Sequence, residues 1–282
     1  MKHIDLESTL RNNGSPLLRK LPGFIISILK KIVHEEEMNR LLGLYGNLGP
    51  RDFLDAILKE FGLKVNIEGI ENLPEDGRCF FAGNHPFGII DGLILTHTVS
   101  GKYGHLKAIG NDAFMYVPPL RPFIAAVNVY GRNQKEVVKQ LDELFASDMP
   151  VTHFPAGEVS RIYKGKISDN LWQKSFITKS VAHRRQIVPF YFRGRNSILF
   201  YVVFIVRKVL GIKINIELIL LPREMFKKRG KTLSAVIGKP VSYTSFDNRF
   251  THNLWCEKIR EYTYSLNEKP FRSFEEFLSD SK

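Results

Sequence analysis

Apolar positions recur along the chain with two different periods, and the change falls near Gly62. Upstream, LLRKLPGFIISILKKIVHEEEMNRLLG and RDFLDAILKEFG place apolar residues three or four apart, the spacing of one helix face. Ser15 followed by Pro16 reads as a helix cap and a first-turn proline, so helices are expected from there to about Glu60. Residues 1–60 are therefore predicted to form an N-terminal helical layer. Downstream come short β-branched or aromatic runs: KVNIEGI, RCFFAG, LKAIG, FIAAVNVYG, PVTHFPAG, QIVPFYFRG, KINIELILL and LSAVIGKPV. Several stop at glycine or proline, and the gaps hold helical stretches such as Gln134 to Ser147. Strands alternating with helices predict an α/β domain over residues 61–265, with a largely parallel or mixed central sheet covered by helices. The tail, residues 266–282, is polar and carries at most a short helix. No internal repeat or flexible linker separates a further domain.

Composition narrows the class. Of the 282 residues, 44% are hydrophobic, enough for a buried core. A net charge of +12 draws the surface toward anions: nucleic acid, acidic carrier proteins or anionic lipid headgroups. Two cysteines, Cys79 and Cys256, offer neither a disulfide framework nor a zinc-ligand pattern, which suits a reducing compartment and predicts no metal. MKHIDLESTLRNNG carries acids where a signal peptide needs a basic start and an apolar stretch, so export is not expected. The longest apolar run, Ile198 to Val206, is about half the length that crosses a bilayer.

Candidate chemistry lies in GNHPFGIIDG, Gly83 to Gly92. RCFFAG reads as a strand, placing His85 just past its carboxyl end, where α/β sheets position their chemistry. Pro86 and Gly88 keep a regular helix from starting before about Ile89. On one continuous helix His85 and Asp91 would point about 240° apart, but a turn through Pro-Phe-Gly can bring them together. An aspartate on one imidazole nitrogen fixes the tautomer and frees the other nitrogen as a base. No serine elbow of the Gly-x-Ser-x-Gly kind is present and Cys79 lies within the strand, so the nucleophile is assigned to the substrate. An ordinary structural reading stands beside this one: His85 caps the helix or binds backbone, and Asp91 serves the first-turn dipole.

Asn84-His85 with Asp91, then FPAGEVSR (Phe154 to Arg161), then IVPFYFRGRNS (Ile187 to Ser197), resembles in order and rough spacing the PlsC-like glycerolipid acyltransferase family, over residues 62–240. That family usually has four residues between histidine and aspartate, where five stand here, and Phe-Pro-Glu-Gly-Thr-Arg where Ala156 replaces the glutamate and Glu158 and Arg161 come two positions late. The extra residue and FPAGEVSR look most like the bacterial branch that acylates ornithine and glycine lipids. The resemblance implies fatty acyl transfer from an acyl carrier protein or coenzyme A thioester to a lyso-lipid hydroxyl at the membrane surface, with no bound cofactor and no metal; with the reducing compartment expected from the cysteines, the cytoplasmic face is the expected side. It makes His85 the base and Asp91 its orienter. Asn84, Gly157, Glu158, Ser160, Arg161, Arg132 and Arg195 are the candidate substrate contacts, with Arg161 first and Arg132 second for an anionic group. Oxyanion donors are sought among the backbone amides of GNHPFG or FPAGEV.

Three further features bear on the reading. His153 is expected to be a satisfied core histidine, and His97 and His105 have no acid at a persuasive spacing. In PGFIISILKKIVH, Phe24, Ile25, Ile28, Leu29 and Ile32 share one helical face, fit either for the sheet or for a peripheral membrane contact. ILFYVVFIV, flanked by Arg193, Arg195, Arg207 and Lys208, suits either an element dipping into a leaflet or a buried one. The rivals are a lysophosphatidate acyltransferase and a non-catalytic basic protein binding membrane or nucleic acid. No nucleic-acid motif is found, so nucleic acid is not the expected partner.

Overall fold

The computed structural model describes residues 3–12, 16–110, 112–126 and 134–280. Five short helices come first: α1 (Leu6–Arg11), α2 (Pro16–Arg19), α3 (Gly23–Ile32), α4 (Glu35–Tyr45) and α5 (Pro50–Glu60). There follow β1 (Lys64–Glu68), β2 (Cys79–Gly83), α6 (Ile89–Tyr103), β3 (Lys107–Gly110), β4 (Ile124–Ala126), α7 (Gln134–Ala146) and β5 (Val151–His153). A small hairpin, β6 (Arg161–Tyr163) and β7 (Lys166–Ser168), leads to α8 (Ser175–His183), β8 (Gln186–Arg193), α9 (Ile198–Val209), α10 (Leu221–Phe226) and β9 (Thr232–Ile237). Helices α11 (His252–Ser265) and α12 (Phe274–Asp280) close the chain.

Seven strands form one mixed sheet in the order β1-β9-β8-β2-β5-β3-β4. All neighbours are parallel except β8 and β9, so β1 and β9 run against the other five. Every residue of the central strand β2 is buried, as expected where helices cover both faces. Cys79 and Phe81 point into the layer of α5 and α6, while Phe80 and Ala82 face Phe176 of α8 and Trp255 of α11. At the amino end of the sheet Arg185 is fully buried. Its guanidinium donates to Phe145 O (2.7 Å), Cys79 O (3.2 Å), Met149 O (2.9 and 3.0 Å) and Ser147 O, so it bridges the starts of β2, β5 and β8.

The expected helical layer and α/β sheet are present, and α6 begins at Ile89. Ser15 lies outside the described residues. KINIELILL is not a strand: Ile216–Leu220 is a 3-10 turn that runs into α10. Its alternation is inverted, with Ile214, Ile216 and Leu218 exposed and Glu217 buried, and Pro222 supplies no N–H to a ladder. The apolar run 198–206 is helical, as part of α9. The tail is less polar than its composition suggests, because Phe274 and Phe277 bury against Tyr262 of α11. Among the described residues no helix is long and apolar enough to cross a membrane.

Candidate active site

The three sequence blocks sit at the carboxyl ends of three neighbouring parallel strands: His85 after β2, FPAGEVSR after β5, and Gly194 to Ser197 after β8. Asn84 continues the β2–β8 pairing with its side chain, donating to Phe192 O (3.0 Å) and accepting from Phe192 N (2.7 Å). The chain then turns sharply at Gly88, whose φ is +90° and where a Cβ would fall 2.9 Å from Leu221 Cδ2. Only glycine fits both demands. Gly194 is equally constrained, since a Cβ there would meet the Phe87 ring at 2.5 Å.

This bend brings the imidazole and the carboxylate together. His85 Nδ1 lies 3.1 Å from Asp91 Oδ1, an ion-pair distance at which the ring N–H is not aligned for a straight hydrogen bond. Asp91 is fully buried and accepts from the amides of Phe87 (2.9 Å), Gly88 (3.2 Å) and Gly92 (2.9 Å). The aspartate thus both caps α6 and faces the histidine, so the two readings of the motif describe one residue. Nδ1 is the buried ring nitrogen, on the Asp91 side of a partly exposed ring. The Phe154 ring stacks on the imidazole at 3.9 Å between centroids and 22° between planes, fixing the plane of the ring.

A second buried carboxylate holds the loop from behind. Asp169 accepts from His85 N (3.1 Å), Ser160 Oγ (2.5 Å) and Trp172 Nε1 (2.9 Å), while its own amide donates to Tyr264 Oη (2.8 Å). Burial pushes its carboxyl pKa up against these stabilising bonds. Ser160 N donates to His85 O (2.8 Å), so the loops after β2 and β5 are joined at both His85 N and His85 O. Nothing in the sequence pattern points to Asp169: it stands in a polar turn 84 residues from His85, with no periodicity to place it.

The other sequence candidates divide. Gly157 is exposed at the tip of the FPAGEVSR turn with φ +68°. Glu158 accepts from Tyr163 Oη (3.0 Å) and Asn170 Nδ2 (2.8 Å), and Ser160 is committed to Asp169. Arg161 is fully buried, so the pair it makes with Glu158 at 3.9 Å is no surface bridge. Its Nε donates to Glu217 Oε1 (3.0 Å), it also donates to Val159 O, and it packs against Phe200 and Phe204. Arg207 Nε approaches Glu217 Oε2 at 2.8 Å, off the hydrogen-bond line, completing an Arg161–Glu217–Arg207 triad that ties the loop to α9. Arg195 is exposed beside the start of α9, and Arg132 lies outside the described residues.

Cys79 is buried, and desolvation pushes its thiol up to about 12. His153 is not the satisfied core histidine expected: Nδ1 is buried without a hydrogen-bond partner. Burial, and then the neighbouring His85, lower its pKa to about 4, so it is neutral near pH 7. His97 does have an acid, Asp55 of α5, at 2.6 Å, a pairing hidden by 42 residues of separation. The amides of GNHPFG are spoken for, with Asn84 N on Phe190 O and His85, Phe87 and Gly88 on carboxylates. In FPAGEV, the amides of Ala156, Glu158 and Val159 donate no hydrogen bond among the described residues, whereas Gly157 N closes the turn on Phe154 O (2.9 Å).

Known proteins resemble the chain along nearly all its length. A family model described as acyltransferase matches residues 9–270. A lyso-glycine lipid O-acyltransferase of Phocaeicola vulgatus is 39% identical over 264 residues, 93% of this chain and 95% of that protein. One from Bacteroides thetaiotaomicron is 39% identical over 264 residues, 93% of this chain and 97% of that protein. Among solved structures, the 1-acyl-sn-glycerophosphate acyltransferase PlsC from Thermotoga maritima aligns with 87% of this chain and 93% of its own, at 16% identity and a TM-score of 0.44.

Proposed function

The chain belongs to the acyltransferase family, and from that premise we propose that it moves a fatty acyl group from an acyl carrier protein or coenzyme A thioester to the hydroxyl of a lyso-glycine-type lipid held at a membrane surface. The observation that carries the acceptor is the 39% identity to two lyso-glycine lipid O-acyltransferases across 93% of the chain.

His85 is the general base. An alcohol is a poor nucleophile at neutral pH, and the imidazole accepts its proton as the oxygen attacks the thioester carbonyl. Nε2 takes that proton, and buried Asp91 beside Nδ1 stabilises the imidazolium that results. Collapse of the tetrahedral intermediate expels the thiolate, which recovers the proton from His85. The oxyanion is met by amides of the FPAGEVSR turn at Ala156, Glu158 or Val159, which have no other acceptor among the described residues. Acyl passes directly from donor to acceptor, so no acyl-enzyme forms. Gly157 and Glu158 contact substrate at the tip of the FPAGEVSR turn, whereas Arg161 acts through Glu217 on the position of the loop.

The test is transfer of a labelled acyl chain by wild-type protein and by His85→Ala, with lyso-glycine lipid and lysophosphatidate as rival acceptors and both thioesters as donors. Wild-type product on the glycine lipid, falling by about two to four orders of magnitude in His85→Ala, supports the reading. Transfer only to lysophosphatidate overturns the acceptor, and an unaffected His85→Ala overturns the mechanism.

A further inference from the structure

The first nine residues of α9, 198–206, are apolar on every side, and Arg207 and Lys208 follow in the last turn. One face is accounted for: Phe200, Tyr201 and Phe204 are buried against Val159 of the FPAGEVSR loop and Leu220. The opposite face is left exposed among the described residues. Ile198 is 72% exposed, Val202 46%, Ile205 44% and Val209 80%, and the chain beyond continues the strip with Leu210 at 66% and Ile214 at 67%. Of the 22 large hydrophobic side chains exposed among the described residues, 11 fall between Ile198 and Leu218. Scattered exposed apolar residues need no explanation, but a concentration in one helix and the turn after it marks a surface that meets something apolar.

Charge decides what that is. Between Gly194 and Leu220 the exposed charges are Arg195, Lys208 and Lys213. The single carboxylate there, Glu217, is fully buried between Arg161 and Arg207. A second copy of the chain seated on this face would set lysine against lysine and oppose two molecules of net charge +12. An anionic bilayer offers hydrocarbon to the strip and opposite charge to its rim. A helix of 12 residues is about 18 Å long against a hydrocarbon core of about 30 Å, so it lies in the interface and does not cross.

The inner face of the same helix is tied to the chemistry. Tyr201 Oη accepts from Asn196 N (3.1 Å), Asn196 Nδ2 donates to Phe87 O (3.4 Å), and Phe87 is two residues beyond His85. We propose that the outer face of α9 and the turn to Ile214 dock in plane on an anionic lipid surface and so hold the adjoining His85 loop close to the leaflet from which the acceptor comes. This rests on the lyso-lipid reading above for its purpose, but its test stands apart from it.

The full chain is sedimented with phosphatidylcholine vesicles, with and without phosphatidylglycerol, alongside the double variant Val202→Glu/Val209→Glu. Wild type should pellet with the anionic vesicles and be released by salt, and the variant should bind at least about tenfold more weakly. Because both positions are exposed, its melting temperature should match wild type, and the milder Val202→Ser/Val209→Ser should bind with intermediate strength. Vesicle binding by the double glutamate variant equal to wild type overturns the proposal. So does a wild-type dimer that the variant dissolves while vesicle binding persists. Loss of binding in the variant, together with no acyl transfer to lyso-glycine lipid by either protein, leaves docking intact and rejects the acceptor.

Discussion

Replacing Glu217 with glutamine removes the one negative charge from between two buried arginines without changing the size of the side chain. Arg161 and Glu217 are fully buried and Arg207 is 5% exposed, so neither guanidinium can recruit water in compensation. The nearest other carboxylate, Glu158, stands 3.9 Å from Arg161 and is already engaged with Tyr163 and Asn170. Breaking a buried pair by removing one partner costs about 3–5 kcal/mol, a large part of a total stability of about 5–15 kcal/mol. Urea unfolding followed by tryptophan fluorescence should therefore show a clear fall in midpoint for Glu217→Gln with an unchanged slope. A triple replacement, Arg161→Met with Glu217→Leu and Arg207→Met, removes the charges together and should recover most of the loss. Activity separates stability from position: Arg161 holds Val159 O, and the adjacent Ser160 N holds His85 O. Glu217→Gln should therefore lower kcat even at temperatures where it stays folded. A loss below about 1 kcal/mol would refute this reasoning, because that is how a solvated surface pair behaves.

Asp169→Asn should lower kcat with little change in KM, since an amide cannot accept from His85 N, Ser160 and Trp172 together. Its stability should fall by about 1–3 kcal/mol, and kinetics identical to wild type would show that Asp169 does not position the base. His153 makes acid stability a second test. Its pKa is lowered from 6.5 to about 4, so the native state disfavours its charged form. The contribution is fully present above pH 6.5 and is lost as pH falls toward about 4, up to about 3 kcal/mol. Urea midpoints measured across that range should decline less in His153→Leu than in wild type, and parallel curves would contradict the assignment.

The sequence made the helical layer, the sheet class and the His85–Asp91 pair legible because each rests on short-range pattern. Proline and glycine between His85 and Asp91 forced a bend that backbone geometry alone predicts, and α6 starts where they release it, at Ile89. What stayed hidden depends on long-range partners. Asp169 meets His85 across 84 residues and Glu217 meets Arg161 across 56, distances over which no periodicity carries information. KINIELILL misled for the same reason: its alternation looks like a half-buried strand, but the buried member is the glutamate, and only the two arginines explain that inversion. Arg161 looked like a free cation for the same want of a visible partner, and the structure gives it a fully buried one.

Arg185 has a consequence for how the molecule could be altered. One guanidinium buckles β2, β5 and β8 at the rim opposite the chemistry, so their mutual registry does not depend on the loops at the other rim. Those loops can be lengthened, exchanged or reshaped by selection for a new acceptor while the strands beneath them stay fastened. A laboratory library that varies Glu158 and Arg195 and leaves Ser160, Gly194 and Arg185 alone would draw on that separation of duties.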